Sequence, residues 1–275
     1  GCPYRCEFCS AYVINGKRIR RHSIDYLRRW VKYLYEEKGI RWINIVDDNF
    51  TFNVKYVMQF CESAIEMNLP DLGYGTPNGI RMQRGNPEMW QLMKKAGWKW
   101  IIVAPESGSK RTLELMKKDL KIEIVPGIVD DIHDAGIRVH GFFMIGYPGE
   151  KREDIQKTYE FIKICNFDTF VVQIFQPLPG TPIFDSLLAK GEIKSDFLPT
   201  GDIYGYVNFI PKELKDFNFQ LFMLKVHLRQ AMLNPISYLT TIKIMGLHTF
   251  GLALLSLFRA LFNPDKKALK PKTTM

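Results

Sequence analysis

Cysteine is scarce in this chain, with five in 275 residues, and there are only five histidines. An odd cysteine count, with three of the five in the first nine residues, does not suit the paired framework of a small secreted domain. The start also lacks a charged segment followed by an apolar run. No secretory leader is expected, and the cytoplasm is the expected compartment. Long apolar runs are missing as well. The most apolar stretch, 244–262, offers only 15 uncharged residues between Lys243 and Arg259, fewer than the roughly 20 a spanning helix needs. Acidic residues thin out toward the end: from Pro211 onward ten Lys/Arg face three Asp/Glu. Of the net charge of +9, that tail carries +7 and residues 1–210 only +2. An acidic partner would therefore meet the tail, not the main body.

What is present is a soluble composition, 46% apolar and 24% charged, long enough for one large domain or two modest ones. Short apolar, β-branched or aromatic runs recur: WINIV (42–46), LGYGT (72–76), WIIVA (100–104), VHGFFMI (139–145) and FVVQIF (170–175). Each reads as a buried strand. Amphipathic segments with helix signals lie between them. Ser23 precedes one that ends near Gly39, Asn86-Pro87-Glu88 opens another that Gly97 closes, and a third stops at Gly136. Strands spaced by roughly 30 residues are strand–helix crossover units, so the sheet is expected to be parallel with helices outside. Polar residues follow successive strands: Asp47-Asp48-Asn49, Asn78-Gly79, Glu106-Ser107, the 146–149 turn and Gln176. Such a ring fits the mouth of a barrel better than the single crevice of a doubly wound sheet. The expected fold is a partial (β/α)6 TIM-like barrel over residues 1–190. Its first strand is expected to lie upstream of Gly1, the chain being read as an excised piece. A mainly helical extension is expected over 191–275.

The opening GCPYRCEFCS places Cys2, Cys6 and Cys9 at C-x3-C-x2-C. Structural zinc prefers four ligands in paired knuckles, and no second pair exists here. Three thiolates can hold a four-iron cluster while one iron stays open to a further ligand. Cys61 and Cys165 fall on helical apolar patterns and read as core residues.

With Phe8 just before the third cysteine, the loop resembles that of the radical S-adenosylmethionine (SAM) superfamily. VDDNFTFN (46–53), NGIR (78–81), PESGSKRTLELMKK (105–118), GFFMIGYPGE (141–150) and QPLPGTP (176–182) resemble the branch that carries a cobalamin-binding domain upstream. The resemblance spans about residues 1–190. It implies a [4Fe–4S] cluster on Cys2, Cys6 and Cys9, with SAM chelating the fourth iron. It also implies an enzyme that reductively cleaves SAM to a 5′-deoxyadenosyl radical, in a cobalamin-associated methyltransferase or a rearrangement or cyclisation enzyme. Phe8 would then pack near the adenine. Asp47, Asp48 and Asn49 stand where the superfamily often has a Gly-Gly-Glu turn that receives the SAM ammonium; here they either share that role or cap the next helix. Glu106 and Ser107 would accept from ribose hydroxyls or the ammonium, with Ser107-Gly108-Ser109 equally a helix-start turn. Met144 and Gly146 would border the adenine. Arg81, just past the third motif, would face the mouth. His22, His133 and His140 are scattered, and His140, on a strand, reads as a packed side chain.

Expected partners are a small-molecule or lipid-like substrate and a one-electron reductant such as flavodoxin or ferredoxin. Two rival readings are a methylthiotransferase and a non-enzymatic, metal-stapled module at a membrane. The basic tail allows three placements: a helix packed on the rest of the protein, an interfacial helix on an anionic membrane at its inner face, or a nucleic-acid contact. The last lacks the interleaved aromatic and basic residues of a single-strand platform.

Overall fold

The computed structural model describes residues 1–199 and 207–233, together with Pro235 and Leu239. The loop of three cysteines leads into a short helix α1 (Ala11–Asn15) and then α2 (Ile24–Glu36). Four units follow: β1 (Trp42–Asn44) with α3 (Val54–Met67), β2 (Gly73–Gly75) with α4 (Pro87–Ala96), β3 (Trp100–Glu106) with α5 (Lys110–Leu115) and α6 (Val125–Asp134), and β4 (Arg138–Ile145) with α7 (Arg152–Ile164). The described chain continues through β5 (Thr169–Ile174), α8 (Pro182–Ala189) and α9 (Phe219–Leu233).

All five expected strands form, and the helix signals act through identifiable bonds. Ser23 accepts from the Tyr26 N–H at 3.2 Å, and Asn86 accepts from the Met89 N–H at 2.8 Å ahead of Pro87. Gly97, at φ 111°, ends α4 in the left-handed region that only glycine enters freely. A Cβ there would also lie 2.6 Å from the Leu72 carbonyl oxygen. Helix α2 stops at Glu36, three residues before the expected glycine, because the Ile40 N–H folds back onto the Leu34 carbonyl.

The strands are parallel. β1 pairs with β2, and β3, β4 and β5 form a second set in that order. Two bridges, Tyr74 with Trp98 and Ile80 with Val103, join the sets. The strand order thus follows the chain without reversing. A doubly wound sheet reverses at its switch point, whereas a barrel wall does not, so this is a partial barrel. Burial alternates along β4 and β5. Val139, Gly141, Phe143 and Ile145 are buried, while His140, Phe142 and Met144 are half-buried, level with Val171 and Gln173 of β5.

The main core lies between wall and helices. Trp90, Met89, Met93 and Trp98 are fully buried, and Trp98 stacks on Tyr74 at 4.8 Å. Cys61 and Cys165 sit in this core as expected, at 0% and 1% exposure. A second apolar cluster of Met116, Tyr147, Phe175, Phe184 and Leu187 has Phe8 and Met144 at its edge. Helix α9 packs on β5 and covers that end with Phe219. Among the described residues no helix is long and apolar enough to cross a membrane. The apolar stretch at 244–262 and the lysines that follow lie outside the described residues.

Candidate active site

The cysteine loop is short and irregular, so the barrel must hold it in place. Three backbone bonds do so: Cys2 N–H to the Gly16 carbonyl at 3.1 Å, Glu7 N–H to that of Met116 at 3.0 Å, and Ile183 N–H to that of Glu7 at 3.2 Å. The last two fasten it to the ends of α5 and α8, and Lys117 adds an ion pair to Glu7. Cys6 is buried and Cys2 and Cys9 are half-buried, all as free thiols. Burial pushes the Cys9 thiol above its ordinary range, and the nearby Cys6 and Cys2 push it further. Among the described residues, however, no three His, Cys, Asp or Glu side chains converge tightly enough to hold a single metal ion. The donor set itself, three thiols in one short loop, suits a cluster in which each sulfur takes a different iron.

Around the loop, the strand ends contribute polar groups with contrasting fates. After β1, Asp47 is exposed and accepts from the Asn49 N–H at 3.2 Å, and Asp48 accepts twice from Asn15 at 3.1 Å. Neither Asp48 nor Asn49 caps α3. A 3-10 turn at Phe50–Phe52 intervenes, and Asn53 is the cap, accepting from the Tyr56 N–H at 2.9 Å. Asn49 is buried, and both ends of its amide lack a partner. Thr76, just past β2, is equally buried, with an unpartnered hydroxyl. Buried polar groups are normally satisfied, and an orphan calls for a ligand or ordered solvent.

After β3, a bulge between Val103 and Glu106 re-aims the strand end. Glu106 sits at φ 70°, a strained region for a non-glycine residue. Lys118 meets it at 2.8 Å, in a pair only 14% and 10% exposed, and also lies 6.0 Å over the Phe8 ring. Ser107 does not reach the mouth. It is fully buried and bonds Thr158 at 3.0 Å, while Ser109 caps α5 and donates to Asp154 at 2.7 Å. Arg111 completes that network at 2.6 Å from Asp154. Burial alone would raise the Asp154 carboxyl, but the Ser109, Lys151 and Arg111 donors outweigh it and hold the group below its ordinary value.

After β4, Met144 and Phe8 flank the second apolar cluster, and Phe8 meets Tyr147 edge-on at 6.5 Å. Gly146, at φ 81°, has its N–H bound to Glu150 at 2.6 Å and its open face against the Phe219 ring. Glu150 itself is fully buried. Burial lifts its carboxyl to about 8 despite amide donors from Gly146 and Tyr147. Neither Glu150 nor Lys118 stood out as a functional candidate in the sequence, since each gains its meaning from a partner the fold supplies. His140 meets Thr169 on the wall, and burial lowers it to about 4.

Arg81, in contrast, comes right to the cysteines. It is 8% exposed, donates from Nη2 to Cys6 Sγ at 3.4 Å and from Nη1 to the Asp119 carbonyl at 2.9 Å, and lies 3.4 Å over the Tyr4 ring.

A family model described as the radical SAM superfamily matches residues 1–162. The chain belongs to the radical SAM superfamily. Such a domain implies a [4Fe–4S] cluster and SAM. Among curated proteins, the chain is 30% identical over 198 residues to the cytidylyl-2-hydroxyethylphosphonate methyltransferase of Streptomyces wedmorensis. That match covers 70% of this chain and 36% of the relative. It is 25% identical over 197 residues to the anaerobic magnesium-protoporphyrin IX monomethyl ester cyclase of Cereibacter sphaeroides, covering 70% and 32%. The chain thus spans about a third of the length of these relatives. Among solved structures, it resembles the radical SAM methyltransferase TsrM of Kitasatospora setae, determined with cobalamin and a [4Fe–4S] cluster bound. The TM-score is 0.63 at 16% identity, over 78% of this chain and 43% of that one. At that identity the likeness is one of fold.

Proposed function

We propose that this chain is the catalytic core of a cobalamin-associated radical SAM methyltransferase. Cys2, Cys6 and Cys9 would each bind one iron of the cluster, leaving the fourth for the amino and carboxylate groups of SAM. The observation that carries the reading is the three-thiol loop, with Cys6 buried, anchored by backbone bonds to the ends of α5 and α8 in a chain whose β1 and β2 ends carry unsatisfied polar groups. When bound, the reduced cluster supplies the electron that breaks a sulfonium C–S bond. The chain's own residues orient and enclose. Phe8, Met144 and Tyr147 offer an apolar slot for the adenine. Asn49 and Thr76 offer hydrogen-bonding capacity for the amino-acid end, with Asp47 and Asp48 nearby. Glu106 is an acceptor held in place by Lys118. Electrons come from a small one-electron donor protein, and cobalamin is held outside these 275 residues. Methyl transfer is favoured over cyclisation by the stronger match to a methyltransferase, at 30% against 25% identity.

The test is anaerobic reconstitution. The chain should take up about four irons and, with dithionite, convert SAM to 5′-deoxyadenosine, and Cys6→Ala should lose both. With cobalamin and the upstream domain supplied, methyl transfer should also release S-adenosylhomocysteine, which a cyclase has no reason to form. Retention of cleavage by Cys6→Ala would remove the cluster assignment.

A further inference from the structure

A buried guanidinium without a carboxylate is an expensive thing to keep. Arg81 is 8% exposed, yet among the described residues it forms no ion pair; its protein partners are the Asp119 carbonyl, the Tyr4 ring and the sulfur of Cys6. Buried charges are otherwise paired or lost. The one group in contact with it that can carry negative charge is Cys6 Sγ, 3.4 Å from Nη2. Lys118, whose charge also bears on Cys9, is already neutralised by Glu106 at 2.8 Å. Arg81 is also held rigidly. Thr51 donates to its carbonyl at 3.2 Å, the Tyr4 face fixes the guanidinium plane, and Arg84 pins the Tyr4 hydroxyl at 3.3 Å.

We infer that Arg81 tunes the cluster, donating an N–H···S bond to the Cys6 ligand and placing one uncompensated positive charge beside it so that the reduction potential is raised. The inference rests on the reading of Cys2, Cys6 and Cys9 as cluster ligands. A three-thiolate cluster is anionic and gains a further negative charge when an external one-electron donor reduces it. That charge spreads onto the sulfurs. A donor and a cation at one sulfur therefore stabilise the reduced form more than the oxidised form, and hydrogen bonds to ligand sulfurs are an established lever on such potentials. The guanidinium stays charged at every working pH, so the effect is constant. Arg81 is a positioning and tuning residue: it acts through Cys6.

The experiment compares the anaerobically reconstituted parent, Arg81→Gln and Arg81→Lys. Iron content is measured first. The midpoint potential is then read by EPR-monitored titration, with SAM affinity in parallel. Arg81→Gln should hold the parent's iron content and show a more negative midpoint. Arg81→Lys, which keeps the charge without the fork, should recover part of the shift. In the parent, labelling arginine with nitrogen-15 should change the weak nitrogen coupling seen by pulsed EPR on the reduced cluster. Equal potentials at equal iron content overturn the inference and leave the cofactor reading standing. So does weaker SAM binding with an unmoved potential, which would make Arg81 a cofactor carboxylate binder. A parent that takes up no iron overturns both. If Arg81→Gln loses its cluster, the parent's labelling experiment decides, and an unchanged nitrogen pattern overturns the inference.

Discussion

Replacing Glu150 with glutamine should change how stability depends on pH. Glu150 is fully buried beneath the turn after β4. One carboxyl oxygen accepts from the Gly146 and Tyr147 amides at 2.6 and 3.2 Å; the other is left beside Thr112 without a well-formed bond. A protonated carboxyl can donate there, which fits a folded value lifted from 4.5 to about 8 by burial. The sign follows. Below pH 4.5 the group is neutral folded and unfolded, and its contribution is complete. As pH rises the unfolded chain ionises first, so stability falls by about 1.4 kcal/mol per unit until the folded group ionises too. The total over that window is about 5 kcal/mol at most. Glutamine keeps the acceptor and stays neutral, so it escapes this loss, at a cost of about 1 kcal/mol for one amide hydrogen without a partner. Urea unfolding of reduced protein between pH 5 and 9 is the assay. Glu150→Gln should be the less stable protein near pH 5 and the more stable by several kcal/mol above pH 8. A difference constant with pH, or one that shrinks as pH rises, would refute the reasoning.

Thr158→Val should remove the hub that accepts from Gly108 N–H at 2.9 Å and meets Ser107 at 3.0 Å. Leaving the half-buried Gly108 N–H without its acceptor, and the Ser107 hydroxyl with only its bond from the Ser109 N–H, should cost about 1–3 kcal/mol, read as a lower thermal midpoint; an unchanged midpoint would show that Thr158 does not hold the network together. Gly85→Ala should destabilise by about 1–3 kcal/mol or more through overpacking, since its Cβ would lie 2.0 Å from the ring of the fully buried Trp90. Its backbone φ of −74° is ordinary, so a loss below about 0.5 kcal/mol would show that the ring can move. Asn49→Leu removes an amide with no internal partner. Stability without cofactor should hold or rise, while SAM affinity should fall about tenfold for one lost hydrogen bond. Lower stability with unchanged SAM affinity would make Asn49 a structural residue.

The strands were legible because each is a short apolar run, although β1 is half-buried to exposed and not the buried strand expected, and the helix starts were legible because Ser23 and Asn86 announce them locally. The α3 cap was not. The 3-10 turn at Phe50–Phe52 is too short to leave a periodic signal, so the cap fell to Asn53 in place of Asp48 or Asn49. The cysteine loop stood out by its spacing, and its reading came from the family-like segments that follow it in order. The contact of Arg81 with Cys6 spans 75 positions, and no local pattern encodes which basic side chain a barrel will fold over a thiol. Glu150 was hidden for a similar reason: its burial depends on the chain leaving β4 and turning into α7 above it. Ser107 shows the limit from the other side, since a serine after a strand reads equally as ligand contact or helix start. Only the position of Thr158, on the second turn of α7, turns it inward.

The polar groups at the mouth divide by whether the fold has already satisfied them. On the β3 and β4 side, Glu106 has Lys118 and the Gly146 amide has Glu150, while the second Glu150 oxygen and the Thr112 hydroxyl stay unmatched. On the β1 and β2 side, Asn49 and Thr76 are buried and unmatched. Leaving a buried amide and a hydroxyl unpaired costs about 1–3 kcal/mol each. Asn49 and Thr76, at the strand ends, are hydrogen-bonding capacity that a bound ligand could take up. In the proposed reading the apolar surface comes from Phe8, Met144 and Tyr147, which belong to the second apolar cluster. A ligand spanning the mouth would meet unsatisfied polar groups at one end and aromatic surface at the other, with the three sulfurs also at that mouth. SAM, with an amino acid at one end, adenine at the other and a sulfonium between, is a molecule of that polarity. In the proposed reading, that polarity would set the amino-acid end of SAM toward β1 and β2, where Asn49 and Thr76 hold their unmatched groups.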